Sequence, residues 1–135
     1  MAEVEGILRI IEALKKDVPV FCVIDEIFRG TNPVERVAAS AAILEYINKY
    51  NAITFVATHD RELTDMLKDK YEFRYFTENV NKKNGMTFDY KMKNGISKTR
   101  NAIKVLEYVG YPKEITDYSK EYAKELDKIS WSTYL

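Results

Sequence analysis

The chain has 135 residues, enough for one domain with a core and too few for two ordinary ones. Its 21 basic and 21 acidic residues balance, which excludes a generally basic, polyanion-coating surface and confines any nucleic-acid contact to a local patch. A hydrophobic fraction of 46% excludes a wholly disordered chain, and a single cysteine, Cys22, excludes an internal disulfide and fits a reducing compartment. No apolar run approaches the roughly 18–20 residues of a membrane span. Residues 1–6 lead into an amphipathic pattern rather than a basic start and an apolar block. The expectation is a soluble cytoplasmic protein with no membrane partner.

Apolar residues recur at Val4, Ile7, Leu8, Ile11 and Leu14, with Glu3, Glu5, Arg9, Glu12, Lys15 and Lys16 opposite, which predicts a helix with one buried stripe. After Pro19, the run Val20-Phe21-Cys22-Val23-Ile24 carries no polar side chain, the pattern of a strand covered on both faces. Residues 25–32 are polar, with Gly30 as a flexible point. Pro33 suits a first helical turn, and a helix is predicted over 33–50 with Thr31 or Asn32 as its cap. A second buried strand, 53–57, completes a βαβ unit whose strands are expected to be parallel. A short helix over 60–68, capped near Thr58 or Asp60, follows.

The period then changes. Met86, Phe88, Tyr90 and Met92 alternate with Thr87, Asp89, Lys91 and Lys93, which predicts a half-buried antiparallel strand. Its partner is expected within 72–80, joined by a turn over 81–85. Two helices, 101–109 and 113–126, finish the chain on either side of Gly110-Tyr111-Pro112. Ile115, Tyr118, Tyr122 and Leu126 give the last helix an apolar stripe. Residues 1–95 are expected to form one unit and 96–135 a helical pairing segment.

The candidate chemistry sits at strand ends. Val23-Ile24-Asp25-Glu26 sets two acids at the carboxyl end of a buried strand, where open α/β sheets bind ligands. For nucleotide hydrolysis, a first carboxylate holds Mg²⁺ through its waters and a second orients or deprotonates the attacking water; Asp25 and Glu26 match that order. The plain alternative is two acids that begin a loop. His59, two residues beyond the second strand, is expected to open on the same edge. There a neutral imidazole can donate to a phosphate oxygen or hold a water, and the plain alternative is a surface histidine beside a helix.

The run Phe21-Cys22-Val23-Ile24-Asp25-Glu26-Ile27-Phe28-Arg29-Gly30-Thr31-Asn32 resembles the Walker B strand and following loop of MutS-family ATPases. Ala57-Thr58-His59-Asp60-Arg61-Glu62-Leu63 resembles that family's Thr-His switch segment, and Gly110-Tyr111-Pro112-Lys113-Glu114-Ile115 its entry to the C-terminal helix. Order and spacing agree over nearly the whole chain. The resemblance implies an α/β fold: part of an ABC-type P-loop NTPase domain, with a parallel βαβ core, an antiparallel hairpin and C-terminal helices. It implies ATP and Mg²⁺ as cofactors, with Asp25 at the metal, Glu26 and His59 catalytic, and Thr31 and Asn32 in a loop that binds nucleotide and communicates across a dimer. Residues 1–4 resemble the tail of the signature segment that reaches the partner subunit's nucleotide. The parent protein implied is a homodimer that hydrolyses ATP and binds DNA through parts not in this sequence.

Two departures stand out. The sequence holds no Gly-x-x-x-x-Gly-Lys-Ser/Thr; Gly6, Gly30, Gly85, Gly95 and Gly110 stand too far apart to build one. Without that cradle for the β- and γ-phosphates, the fragment alone is expected to be inactive. Arg100 and Asn101 also replace the aromatic and glycine of the mismatch-repair pattern, which looks more like a divergent MutS-like branch. Two other readings stay open: an interaction module with a vestigial nucleotide site, and another ABC-type ATPase of chromosome maintenance. Lys91, Lys93, Lys98, Arg100 and Lys104 read as a solvated face before a phosphate-binding one. Cys22 reads as a buried small hydrophobe, and Trp131 as part of a terminal stretch that docks on a neighbour or stays loose.

Overall fold

The computed structural model describes residues 2–81, 83–98 and 101–129; the expectations placed on Met1, Arg100 and Trp131 lie outside them. The described residues form a mixed α/β chain of helices and small sheets. They gather into two compact units, residues 1–72 and 73–135. No helix among the described residues is long and apolar enough to cross a membrane.

The first unit runs α1 (Ala2–Leu14), β1 (Val20–Asp25), α2 (Pro33–Ile47), β2 (Ala52–Ala57) and α3 (Glu62–Met66). β1 and β2 pair in parallel, from Val20 opposite Ala52 to Asp25 opposite Ala57, with α2 as the connection. Asn32 starts α2. Its Oδ1 accepts hydrogen bonds from the backbone of Val34 at 2.9 Å and Glu35 at 3.3 Å, and Pro33 contributes its fixed φ at the first helical position. Ile7, Leu14, Cys22, Ile24, Ile27, Val37, Ala41, Leu44, Ile47, Leu63 and Leu67 are the buried hydrophobic residues of this unit. Cys22 is buried as expected and donates its thiol proton to Thr54 Oγ1 at 3.2 Å.

The strands are not covered on both faces. Burial alternates along β1 and β2: Phe21 and Val23 are each 68% exposed, Ile53 64% and Phe55 60%. The apolar runs are real, but the helices of this chain bury the Cys22–Ile24 side alone. α3 is also shorter than expected and has no side-chain cap at Arg61. Thr58 Oγ1 instead accepts the backbone proton of Asp60 at 3.0 Å, which closes a turn ahead of the helix.

The second unit contains β3 (Arg74–Tyr75), β4 (Glu78–Asn81), β5 (Gly85–Phe88), β6 (Lys93–Asn94), α4 (Ala102–Val109) and α5 (Lys113–Lys128). β4 and β5 make the expected antiparallel hairpin, with Glu78 opposite Phe88. The long alternating strand does not persist. The ladder breaks after Phe88, and pairing resumes between β3 and β6. Tyr90 sits at φ +54°, and Asp89 Oδ1 accepts the Lys91 backbone proton at 3.0 Å, a local turn that competes with the ladder. Met86, Phe88, Tyr90 and Met92 are all exposed. Gly110, at φ +92°, ends α4 in a Schellman arrangement: its own N–H reaches Glu107 O at 3.3 Å and that of Tyr111 reaches Leu106 O at 3.0 Å. The α5 stripe of Ile115, Tyr118, Tyr122 and Leu126 exists and is exposed.

Candidate active site

Parallel pairing brings the ends of β1 and β2 to one edge. The in-register pair Asp25–Ala57 is followed by a hydrogen bond from the Glu26 backbone N–H to Ala57 O at 2.9 Å, so Glu26 is tied to the end of the neighbouring strand. Glu26 takes φ +56°, a left-handed conformation costly for a residue with a Cβ. This bend turns the chain out of the strand at the point where the carboxylate is presented. Strain held at such an edge is a mark of functional sites.

His59 arrives on the same edge from β2. Its Nε2 lies 3.6 Å from Glu26 Oε1, which is ion-pair reach once the ring is protonated and too long for a hydrogen bond. The imidazole is 96% exposed, so little packing restrains it. Arg29 spans both acids, with Nη2 3.1 Å from Asp25 Oδ2 and Nε 3.2 Å from Glu26 Oε2. The Arg29 backbone N–H also donates to Glu3 Oε2 at 3.3 Å, which ties this loop to α1. Exposed pairs like these are weak and easily exchanged.

A cleft of about 230 Å³ opens here, lined by Glu26, Phe28, Arg29, Gly30, Arg36, His59 and Asp60. Asp25, Thr31 and Asn32 do not line it: Thr31 and Asn32 lie exposed on the following loop, and the Asn32 side-chain oxygen serves the α2 cap. Among the described residues no group of three or more His, Cys, Asp or Glu side chains is placed to hold a metal ion. The exposed Asp25 carboxylate suits a cation shared with phosphates and water, the usual way Mg²⁺ is bound.

Sequence reasoning missed the most sheltered ion pair of this edge. Arg36, on the first turns of α2, makes a two-point pair with Asp60, Nε to Oδ2 at 2.9 Å and Nη2 to Oδ1 at 2.5 Å. The two side chains are 25% and 15% exposed. The hydrogen bonds donated to Asp60 push the Arg36 guanidinium up from its ordinary value; burial, the next largest influence, opposes them, and the charges of Asp60, Glu26 and Glu62 add to the rise. The residues stand 24 positions apart, and neither lies in an apolar or glycine-rich pattern that would single it out.

The model of the family described as MutS domain V matches residues 1–127. The chain belongs to the MutS domain V family. It is 36% identical over 107 residues to a protein of Aquifex pyrophilus named DNA mismatch repair protein MutS, covering 78% of this chain and 12% of that protein. A Fusobacterium nucleatum protein of the same name is 35% identical over 130 residues, 94% of this chain and 14% of that one. A second protein of that organism, named Endonuclease MutS2, is 26% identical over 127 residues, 94% of this chain and 16% of its own length. The chain thus spans a small part of each of these relatives.

Proposed function

We propose that this chain is the Walker B half of a MutS-type ATPase domain, the parallel βαβ core of an ABC-type P-loop fold within a longer dimeric DNA-handling protein. The observation that carries the reading is the convergence of Glu26 and His59, 3.6 Å apart, at the carboxyl edge of two parallel strands. The sequence has no phosphate-binding Gly-Lys-Ser/Thr loop of its own, so the complete site draws that loop from elsewhere in the longer polypeptide.

Bound Mg²⁺-ATP would supply the phosphoryl group and the charge that polarises it. Asp25, at the very end of β1 and open to solvent, would hold the cation through its water shell. Glu26, turned out of the strand, orients the attacking water and accepts its proton. His59 donates to a γ-phosphate oxygen from the end of the neighbouring strand. Arg29 balances the charge of both acids. Thr31 Oγ1 and Asn32 Nδ2 are the groups the loop offers to a nucleotide, on a segment anchored by the α2 cap. The exposed stripe Ile115, Tyr118, Tyr122 and Leu126 supports residues 96–135 as a subunit-pairing segment.

Replacing Asp25 tests the assignment. In the longer polypeptide, Asp25→Asn is expected to raise the Mg²⁺ concentration for half-maximal turnover about tenfold or more, the loss that follows removal of a group that acts on a metal from outside its ligands. An unchanged Mg²⁺ requirement would remove Asp25 from the metal.

A further inference from the structure

We infer that Arg36 is a positioning residue for His59, acting through its two-point pair with Asp60. The inference rests on the hydrolytic reading for its meaning in catalysis, but its structural content is independent of that reading.

The His59 ring is 96% exposed and is restrained by little beyond its own backbone. What fixes that backbone is the next residue. Asp60 receives three ties: its N–H donates to Thr58 Oγ1 at 3.0 Å, its carbonyl accepts the Leu63 N–H at 3.3 Å, and its carboxylate takes both arms of the Arg36 guanidinium. The first two are local and move with the loop. The third alone reaches another element, because Arg36 belongs to α2, whose start Asn32 caps directly after the Glu26–Thr31 loop. The pair therefore connects the segment that carries Glu26 with the segment that carries His59. It is also well sheltered for an ion pair, and a planar guanidinium on both carboxylate oxygens fixes orientation as well as distance. Glu26 lines the same cleft as Arg36 and attracts its charge; Asp60 holds the guanidinium and leaves Glu26 to Arg29 and His59.

The sequence contains one histidine, so the imidazole resonances of the 135-residue protein belong to His59 alone. The cross-relaxation between its ring protons and the Glu26 side chain reports their proximity. The expected result is a cross-peak in the unsubstituted protein that is lost in Arg36→Gln and in Asp60→Asn. It should be kept in Lys70→Gln, which breaks an exposed pair with Glu45. In the longer polypeptide, each single change should lower kcat about tenfold or more with little change in KM, since small displacements of reacting groups act on the chemical step. The double change should be no worse than either single one, the signature of a shared interaction. A cross-peak that survives both substitutions overturns the inference. So does a lost cross-peak with kcat unchanged, or fully additive losses. If the cross-peak is lost as expected but the unsubstituted longer polypeptide hydrolyses no ATP, the hydrolytic reading fails and the positioning of His59 by Arg36 stands.

Discussion

At the scale of single residues, Glu26 sets stability against function. A left-handed conformation costs a residue with a Cβ about 1–2 kcal/mol, and glycine gives back about 0.5–1 kcal/mol of that in backbone entropy. Glu26→Gly is therefore expected to leave the urea midpoint of the 135-residue protein unchanged or slightly higher, although it removes the residue assigned to water activation. Ile24, two positions earlier and buried, is the counterpart: Ile24→Ala should cost about 2–4 kcal/mol by the same measurement. A large loss at Glu26 would mean that its carboxylate holds the fold together rather than serving chemistry. Asp25, Glu26 and His59 were legible in the sequence because each follows a short apolar run, and a run of that kind marks where a strand ends. Arg29 was visible inside the same loop as a residue but not as a partner. The pairing of Arg36 with Asp60 was not legible: a pair across two elements has no local periodicity, and its existence depends on how α2 lies against the end of β2.

At the scale of elements, α2 is held by contacts that sequence patterns do not announce. Tyr71, after α3, donates its hydroxyl proton to Leu44 O at 2.8 Å. Burial first, and then the nearby Cys22, push this phenol up from its ordinary value, with an opposing hydrogen bond to Thr54. A raised value in the folded state means that the stability contributed by neutral Tyr71 is complete below the unfolded phenol's value of about 10 and is lost as pH rises through the folded one. Chemical denaturation at increasing pH should show that alkaline loss, and Tyr71→Phe should lower stability near neutrality by about 1 kcal/mol while removing part of the loss. In the hairpin, Gly85 is at φ +66° and a Cβ there would stand 2.6 Å from the Tyr108 ring. Gly85→Ala is expected to cost at least about 1 kcal/mol from backbone strain alone, read from the melting curve. The turn over 81–85 was readable from Asn and Gly, whereas the break at Tyr90 was not. Alternation in sequence persisted there, but the Asp89 side chain satisfied the Lys91 N–H and ended the ladder. Likewise, Asn101 was marked only as a departure from a family pattern. In the structure it is buried, and its Nδ2 donates to Glu78 O at 3.1 Å and Glu78 Oε1 at 3.0 Å, joining α4 to β4.

At the scale of the whole molecule, the distribution of burial is uneven. Every buried hydrophobic residue among those described belongs to the first unit, while the second buries Gly85, Asn101 and Thr116. The sheet of the first unit leaves Phe21, Val23, Ile53 and Phe55 open, with Phe21 and Phe55 edge to face at 5.9 Å. A sequence shows that a strand is apolar on both faces but not which layers are present to cover them, which is why the expected two-sided burial failed. In the 135-residue protein, Phe55→Thr should change stability by no more than about 0.5–1 kcal/mol, as for other exposed positions, whereas a loss comparable to that of Ile24→Ala would mean that the open face is covered in solution. The parallel core, the order of the helices and the family were readable because they rest on runs and spacings along the chain. Mg²⁺-dependent ATP hydrolysis by the longer polypeptide, beside its Glu26→Gln variant, is the measurement that bears most directly on what the edge of that core does. Turnover is expected to fall about 100-fold or more in the variant while nucleotide affinity is retained, the loss that follows removal of a general base. Equal turnover in the two proteins, or silence in both while each is folded and binds nucleotide, would contradict the hydrolytic reading of this edge.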